Sequence, residues 1–332
     1  MKSVRITKAA LVCAGLIGAD AGLTDAALDE PLSLSNRQPL VQIFNPPGAR
    51  GGEVLAAGQS RWRLAYDVAN NFSTSRRDDE AIVLDGETQR LELGAGIGLG
   101  GRWEVGVALP LIRHDGGGLD GFIEHWHSFW GLPDGDRPDY PRDRLRYRYS
   151  RDGRNALDFQ HSTSGIGDLQ VNAAYSLHRD ERTAVALAAT LSAPTGDADK
   201  LTGAGAAHLS LALAATRNDL FGSGLTATGN IGTLWLDRGE VLDDRQKRSV
   251  LFGSAGVSWA PGVHWRLKAQ LDAHTAFYRS DLRELGAGSV QLLLGGSVRL
   301  GPRWLLDVAV SEDLAMDTAP DVALQLALRA FY

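Results

Sequence analysis

The last eleven residues of the chain alternate between two chemical types with a period of two. Because side chains of an extended strand point to opposite faces in turn, one face would carry only apolar groups: Val322, Leu324, Leu326, Leu328, Ala330 and Tyr332. Gln325 and Arg329 fall on the other face, and the chain ends on an aromatic residue. A strand that is apolar toward lipid, polar toward a lumen and aromatic at the interface is typical of outer-membrane β-barrels.

This C-terminal strand also resembles the signal that the barrel-assembly machinery reads. We therefore expect that machinery to be a partner of the chain during insertion. Outer-membrane lipid would be the surroundings of the folded protein.

The N-terminus has the three parts of a secretory signal peptide. Lys2, Arg5 and Lys8 are its basic region, residues 9–17 are its apolar region, and residues 19–21 form an A-x-A cleavage site. The apolar region is too short for a membrane helix, which needs about 20 residues. The sequence therefore predicts a signal peptide over residues 1–21.

Composition restricts the remaining choices. The one cysteine, Cys13, lies in the predicted signal peptide, so the exported chain would carry no thiol. No run of 18 apolar residues exists, and a membrane-spanning chain without such a run must close into a barrel. A net charge of −6 excludes a broadly basic nucleic-acid binder, so nucleic acid is not an expected partner.

Strand-like alternation recurs along the chain. It covers residues 61–68, 90–99, 103–111, 168–177, 185–191, 208–213, 224–236, 250–260, 265–277, 290–300, 304–310 and 322–332. The connections after even-numbered strands are short, as in a barrel with short periplasmic turns. We predict an all-β, transmembrane, antiparallel up-and-down barrel of about 12 strands over residues 61–332, with 10 or 14 left open. It would lie in the outer membrane with both termini in the periplasm.

Residues 22–60 do not alternate well and contain Pro31, Pro39, Pro46 and Pro47. Proline cannot donate a hydrogen bond to a sheet. We therefore expect this segment to be a periplasmic leader or a plug that enters the lumen in part.

The inward faces of the predicted strands carry thirteen charged candidates for the lumen lining: Arg61, Arg63, Asp67, Arg90, Glu92, Arg102, Glu104, Arg266, Lys268, Asp272, Arg299, Asp307 and Arg329. Eight are cations and five are anions. Because isolated charges are costly away from water, they should form a salt-bridge lattice or line a water-filled passage that mildly favours anions. Strands five to eight carry mostly Ala, Ser, Thr and Gly on their inward side.

The longest connection, about residues 113–164, is the best candidate for a functional loop of the extracellular side. Its apolar residues repeat at helical spacing: Leu119, Phe122, Ile123, Trp126 and Trp130. We predict a short helix that constricts the lumen, lies on the membrane surface, or packs within the loop. Phe122, Trp126 and Trp130 are candidate binding residues.

A row of arginines follows that stripe, at Arg142, Arg144, Arg146 and Arg148. In a strand the four guanidinium groups would share one face, and arginine binds phosphate with two parallel hydrogen bonds. Lipopolysaccharide phosphate is a candidate ligand. The alternative is that acidic loop residues neutralise the row: Asp78, Asp79 and Glu80.

Catalytic and metal-binding patterns are weak. Glu124, His125 and His127 lie where a helix is expected, and a His-x-His pair brings its rings together only on a strand, so we predict no metal site and no cofactor. A lipid hydrolase could draw on neighbouring histidines and serines: His161 with Ser162 or Ser164, or His125 or His127 with Ser128. A catalytic triad is defined by geometry, not adjacency, so we predict no enzyme.

Several short motifs resemble an uncharacterised outer-membrane family, known as domain of unknown function 3187. They are Pro31-Leu32, Asn36-Arg37-Gln38-Pro39-Leu40, the loop from Gly121 to His127, and the aromatic C-terminus. The stretches Gly165-Ile166-Gly167-Asp168-Leu169 and Ala193-Pro194-Thr195-Gly196-Asp197 are similar to barrels linked to aromatic-compound catabolic operons. The resemblance implies location and architecture.

The expected function is passive passage of a small solute, hydrophobic or aromatic. The alternative from another class is a closed structural barrel, or one that binds lipopolysaccharide or another ligand at its loops. A lipid-modifying enzyme comes third. The sequence leaves the solute, the openness of the lumen and the oligomeric state undetermined.

Overall fold

The structure, a computed structural model, describes residues 24–118, 121, 143–315 and 318–332. The predicted signal peptide lies outside them. Within these residues the strands are β1 (Ser60–Arg77), β2 (Glu80–Gly100), β3 (Trp103–Asp115), β4 (Arg146–Arg151), β5 (Arg154–Phe159), β6 (Thr163–Ile166), β7 (Leu169–Arg179), β8 (Thr183–Ala193), β9 (His208–Leu220), β10 (Leu225–Leu236), β11 (Ser249–Trp259), β12 (Trp265–His274), β13 (Ser289–Arg299), β14 (Trp304–Ala315) and β15 (Val322–Phe331). The short helices are α1 (Asp25–Leu28), α2 (Pro39–Gln42) and α3 (Arg283–Gly286), with a 3-10 turn at Ala198–Lys200. Among the described residues, none of the helices is long and apolar enough to cross a membrane.

Twelve of these strands close an antiparallel barrel, which confirms the predicted fold class. Each strand pairs with its sequence neighbours from β7 to β15, and β3 pairs with both β2 and β7. The barrel closes between β1 and β15, where Arg61 lies opposite Phe331 and Asn70 opposite Val322. The main-chain groups of Ser60 and Tyr332 exchange two hydrogen bonds, of 2.7 and 2.9 Å, at the end of this seam.

The barrel has two different ends, which we call the short-turn end and the long-loop end. The short-turn end holds Tyr332, the turn between β2 and β3, and a ring of exposed tryptophans: Trp62, Trp103, Trp259, Trp265 and Trp304. Leucine, valine and isoleucine side chains continue the exposed outer face above that ring. An aromatic girdle below an apolar belt is the exterior of a barrel that faces lipid.

The first two strands are much longer than the sequence pattern predicted. β1 has 18 residues and β2 has 21, and they are joined only by Asp78 and Asp79. Asp78 adopts a left-handed φ of 51° in this turn. A membrane-spanning strand needs about 9–11 residues, so both strands continue beyond the lipid. Most of residues 69–89, which the sequence pattern left outside the first two strands, are therefore strand residues.

The stretch of residues 113–164 is likewise not one loop. Its first three residues end β3, and its last part forms β4, β5 and β6. β4 and β5 add a hairpin to the free edge of the β2 extension, with Ile82 opposite Tyr149. The predicted helix falls almost wholly outside the described residues, as do Phe122, Trp126, Trp130 and Arg142.

Residues 24–59, the N-terminal segment, run inside the barrel. An ascending limb (residues 29–38) rises from the short-turn end, a tip (residues 39–44) turns at the long-loop end, and a descending limb (residues 45–55) returns. Hydrogen bonds to the wall trace the path: Leu32 bonds Gln270, Asn36 bonds the Thr318 carbonyl, and Gly52 bonds Thr216. The segment enters and leaves at the same end.

Candidate functional site

An ion-pair network anchors the foot of the ascending limb. The Glu30 carboxylate accepts hydrogen bonds from Arg61 on β1 and from Arg329 on β15, each at 2.7 Å. Lys268 donates to the Glu30 carbonyl, and Arg329 also bonds Asp307 at 2.6 Å. Burial would raise the pKa of the Glu30 carboxyl, but Arg61 and Arg329 outweigh it and the pKa lies below its ordinary 4.5.

A second ion pair holds the limb near its top. The Arg37 Nη2 lies 2.7 Å from the Asp67 Oδ2, and the two side chains are 5% and 2% exposed. Gln325 donates to the other Asp67 oxygen at 2.7 Å. The contact lies at the β1–β15 seam, because Asp67 and Gln325 are paired residues. The limb is thus attached to both strands that close the barrel.

The tip completes an apolar cluster at the long-loop end. The tip contributes Leu40, Val41, Ile43 and Phe44, and the surrounding side chains come from β2, β4, β10, β11 and the long loops. The Phe44 ring stacks on Phe277 with centroids 5.1 Å apart, and His208 meets it edge-on at 5.4 Å. The end of the lumen that faces the long loops is therefore closed by a small hydrophobic core.

The descending limb packs against the wall that is rich in small residues. Val54 lies against Ala174 and Ala186, and the amide of Gly52 donates to Thr216 at 3.0 Å. A side chain at position 52 would collide with the Ala184 carbonyl. The small inward residues of β7 to β10 thus leave room for a second chain, a role that the sequence pattern did not suggest.

The charges predicted to line the lumen have ion-pair or hydrogen-bond partners, many of them in this segment. Arg63 bonds Glu92, Glu104 binds Arg61 and Arg50, and Arg266 binds Asp29. Arg90 bonds Glu92 and Asn45, Asp272 accepts from Gln270, and Arg299 reaches Asp25. We call this set, with the Glu30 network, the ion-pair lattice.

Arg102 is the exception, and its predicted place in the lumen was wrong. It lies in the turn between β2 and β3, exposed and with a left-handed φ of 86°. The remaining candidates are seven cations and five anions. The segment adds Arg37 and Arg50 against Asp25, Asp29, Glu30 and Glu53, so both signs total nine. The charges of the N-terminal segment therefore cancel the excess of cations that the strand residues alone would give the lumen.

Between the two limbs and the wall lies a polar cavity of about 240 Å³. Arginines and carboxylates from the ion-pair lattice line one side, and Asn172, Thr190 and Ser210 line the other. At about 30 Å³ for each water molecule in the liquid, this volume equals that of about eight water molecules or one small solute.

The three described arginines of the row, at positions 144, 146 and 148, have partners within the protein. Arg144 bonds Asp85 at 2.7 Å, Arg146 lies 3.6 Å from Asp158, and Arg148 bonds Asn155 at 2.9 Å. Leu145, Tyr147 and Tyr149 of the opposite face are buried against the tip. Asp85 and Asp158 neutralise Arg144 and Arg146. Asp79, which was expected to neutralise the row, binds Arg151 instead, at 3.3 Å.

Two further sequence candidates can be placed. His161, Ser162 and Ser164 are exposed beside β6, and the described hydrogen bonds include none between them. Within the described part of the chain, no group of three or more His, Cys, Asp or Glu side chains could hold a metal ion. His125, His127 and Ser128 lie outside it.

Sequence reasoning missed the apolar cluster, although a signal was present. On β2 the inward positions change from Arg90 and Glu92 to Leu84 and Ile82. On β10 the corresponding change ends at Leu234 and Leu236. Apolar residues at inward positions near the long-loop end indicate that something covers them there.

The whole-chain sequence match fits this architecture. Residues 9–331 match the model of a protein family of unknown function, DUF3187. The chain belongs to the DUF3187 family. No curated protein matches it.

One solved structure shows the same fold, and two further matches have lower TM-scores. An outer membrane channel of Pseudomonas putida F1, described as COG4313, is 15% identical with a TM-score of 0.57 and covers 85% of this chain and 98% of its own. The toluene transporter TbuX of Ralstonia pickettii has 10% identity and a TM-score of 0.41, over 90% and 98% of the two chains. The translocator domain of the autotransporter NalP of Neisseria meningitidis is 11% identical, with a TM-score of 0.43. The match covers 84% of this chain and 90% of that domain.

Proposed function

We propose that this DUF3187 protein is a passive outer-membrane channel for a small solute with an aromatic or other apolar part, and that the N-terminal segment is its gate. The observation that carries the proposal is the path of the segment. It fills the lumen, yet it enters and leaves at the same end. It can therefore withdraw without breaking the barrel ladder.

The attachments of the segment agree with a removable gate. Within the described residues, its main-chain hydrogen bonds to wall main chain lie at the base, between Gly58 or Gln59 and Gly98. Higher up, the bonds involve side chains, such as Arg37 with Asp67 and Leu32 with Gln270. Side-chain contacts can be exchanged for water or solute one by one, whereas a ladder strand must unzip.

The chemistry of the lumen supports the solute class. Its long-loop end is lined by apolar and aromatic side chains, whereas its short-turn half is charged. A solute entering from the long-loop end would replace the Phe44 ring and its neighbours in contact with Phe277 and Tyr278. Aromatic rings favour such stacked and edge-on contacts. Sugars and ions would not gain binding energy from these aromatic contacts.

Excision of residues 31–54 tests the gate. Glu30 and Leu55 both lie beside one ion pair, because Arg61 binds Glu30, and the Leu55 amide and Arg61 both bond Glu104. A short Gly-Ser linker can therefore join them. In planar bilayers the excised barrel should give stable conductance steps, whereas the intact chain should be closed most of the time.

A second deletion, of residues 26–58, adds a matched selectivity test. It removes Asp29, Glu30 and Glu53 with two arginines, and leaves seven wall cations against five wall anions. Excision of residues 31–54 keeps Asp29 and Glu30. The larger deletion should therefore shift the reversal potential toward anions relative to the smaller one. If both folded variants are electrically silent, the alternative of a closed structural barrel replaces the channel.

The solute class has its own test. Liposomes that contain the excised barrel should take up an aromatic solute, such as phenol, faster than protein-free liposomes do, and Phe277→Ser should reduce that gain. Equal gains for phenol and for a sugar, with no effect of Phe277→Ser, would show a non-selective pore.

A further inference from the structure

A basic pocket lies on the rim of the long-loop end, outside the lumen and outside the arginine row. Its volume is about 350 Å³, and its lining is Arg245, Lys247, Tyr278, Arg279, Ser280, Asp281 and Gly286. We call it the Lys247 pocket. Three cations and one carboxylate line this small surface.

The pocket is built on paired backbone. Gln246 and Tyr278 form a β-bridge, the Lys247 amide donates to the Phe277 carbonyl at 2.8 Å, and the Arg279 amide donates to the Arg245 carbonyl at 2.8 Å. This short ladder holds Arg245 and Arg279 opposite each other. Like charges opposite each other on a ladder are destabilising unless an anion lies between or above them.

The charges of the pocket are incompletely matched. Arg245 has Glu80 at 3.6 Å and Asp244 at 3.5 Å. In the part of the chain that the structure describes, no carboxylate lies within ion-pair distance of Lys247 or Arg279. Within the same described residues, the Arg279 guanidinium makes one hydrogen bond, a long one of 3.5 Å to the Gln246 carbonyl. Arg144 and Arg146 of the arginine row, in contrast, have carboxylate partners within the protein.

The pocket also lies at the height of lipid headgroups. β11 begins at Ser249, two residues after Lys247, and Ser249 pairs with Trp235. Trp235 and Leu251 are the first large exposed apolar side chains on these strands. Interfacial tryptophans mark the border of the apolar belt. At about 3.3 Å per residue, Lys247 stands about 7 Å beyond that border.

We propose that the Lys247 pocket binds the phosphate of an outer-leaflet lipid, a lipopolysaccharide phosphate monoester. Lys247 and Arg279 would contact the phosphate directly, and Arg245 would add charge from beside them. Arginine and lysine give short, charge-assisted hydrogen bonds to phosphate. The acyl chains would lie along Leu251 and Trp235. This inference rests on the proposed orientation, in which the long-loop end faces outward.

The experiment measures binding of the folded, full-length protein in detergent to diphosphorylated lipid A, to the same lipid without phosphates, and to inorganic phosphate. The intact protein should bind the phosphorylated lipid at least tenfold more tightly than either of the others. Lys247→Gln with Arg279→Gln should lose about tenfold per cation, about 1.4 kcal/mol each. Lys247→Arg with Arg279→Lys should keep most of the affinity and shows that the ladder still folds.

A matched control removes two other exposed arginines at the same end, Arg76→Gln on the β1 extension with Arg154→Gln on β5, both far from the belt. It should bind as the intact protein does. If both double variants lose the same affinity for the phosphorylated lipid, binding depends on net charge alone, and the proposed site is overturned. Equal affinity for inorganic phosphate would overturn the lipid assignment. Neither result depends on conductance, so a silent channel would leave this test intact.

Discussion

Arg37, inside the barrel, donates its Nε to the Oδ2 of Asp67 on β1 at 2.8 Å, and both side chains are almost fully buried. The Gln325 amide from β15 completes the Asp67 carboxylate at 2.7 Å. The segment that occupies the lumen is therefore attached to the seam where the barrel closes.

Asp67→Asn should release the ascending limb without unfolding the barrel. Loss of one partner from a buried ion pair costs about 3–5 kcal/mol, because the other charge stays buried and unpaired. Hydrogen exchange should rise at residues 31–54 and stay unchanged in β7 to β15. Arg151→Gln, which breaks an exposed pair with Asp79, is the control. Equal protection of the segment in Asp67→Asn and the parent would contradict this prediction.

Gly52→Val should loosen the descending limb. A branched side chain there meets the Ala184 carbonyl, whose backbone is fixed in the β8 ladder. Overpacking of this kind costs about 1–3 kcal/mol, and the segment is the part able to move. Brief conductance events should become more frequent. Gly301→Ala, where an added Cβ meets nothing within 4 Å, should behave as the parent does. Loss of the folded barrel in Gly52→Val would instead make position 52 part of the scaffold.

Acid should open the gate through Glu30. Because the pKa of Glu30 in the folded protein lies below its ordinary 4.5, its ion pairs stabilise the closed state fully above about pH 4.5. That stabilisation is lost as the pH falls through the lowered pKa. Open events should increase below that point, and Glu30→Gln should show the increase at neutral pH already. An identical pH response in Glu30→Gln and the parent would assign the effect to other groups.

The C-terminus should be essential for assembly. Removal of Phe331 and Tyr332 deletes the two hydrogen bonds between Tyr332 and Ser60 and the aromatic end of the seam. We expect the truncated chain to remain periplasmic and to be degraded. The measurement is the heat-modifiable band in outer-membrane fractions. A normal amount of folded barrel there would disprove a role for these residues.

The barrel itself could be predicted because its signal is local. Lipid selects an apolar side chain at every second position, so about ten residues of alternation are enough to predict the outer face of a strand. Beyond the lipid that selection ends: the upper outward positions of β1 include Thr74 and Arg76. The extensions of β1 and β2 were missed for this reason.

The site depends on pairs that are distant in the sequence. Glu30 meets Arg329, which lies 299 residues away, and no local pattern of either residue indicates the other. The prolines at positions 31, 39, 46 and 47 correctly predicted that the N-terminal segment forms no barrel strand. They did not predict the path of that segment through the lumen. The small inward residues of β8 and β9 give no local signal of their role, because they are small to leave room for the descending limb.

A reversible lock tests the gate most directly. The Asn36 side chain reaches the Thr318 carbonyl at 2.8 Å, and Cys13 lies in the predicted signal peptide. Asn36→Cys with Thr318→Cys can therefore be joined through two mixed disulfides by a short bis-methanethiosulfonate cross-linker, in a Phe44→Asn background that weakens the tip. Single-channel conductance should disappear on cross-linking and return on reductive release. Unchanged conductance through the cross-linked protein would contradict the N-terminal segment as the gate.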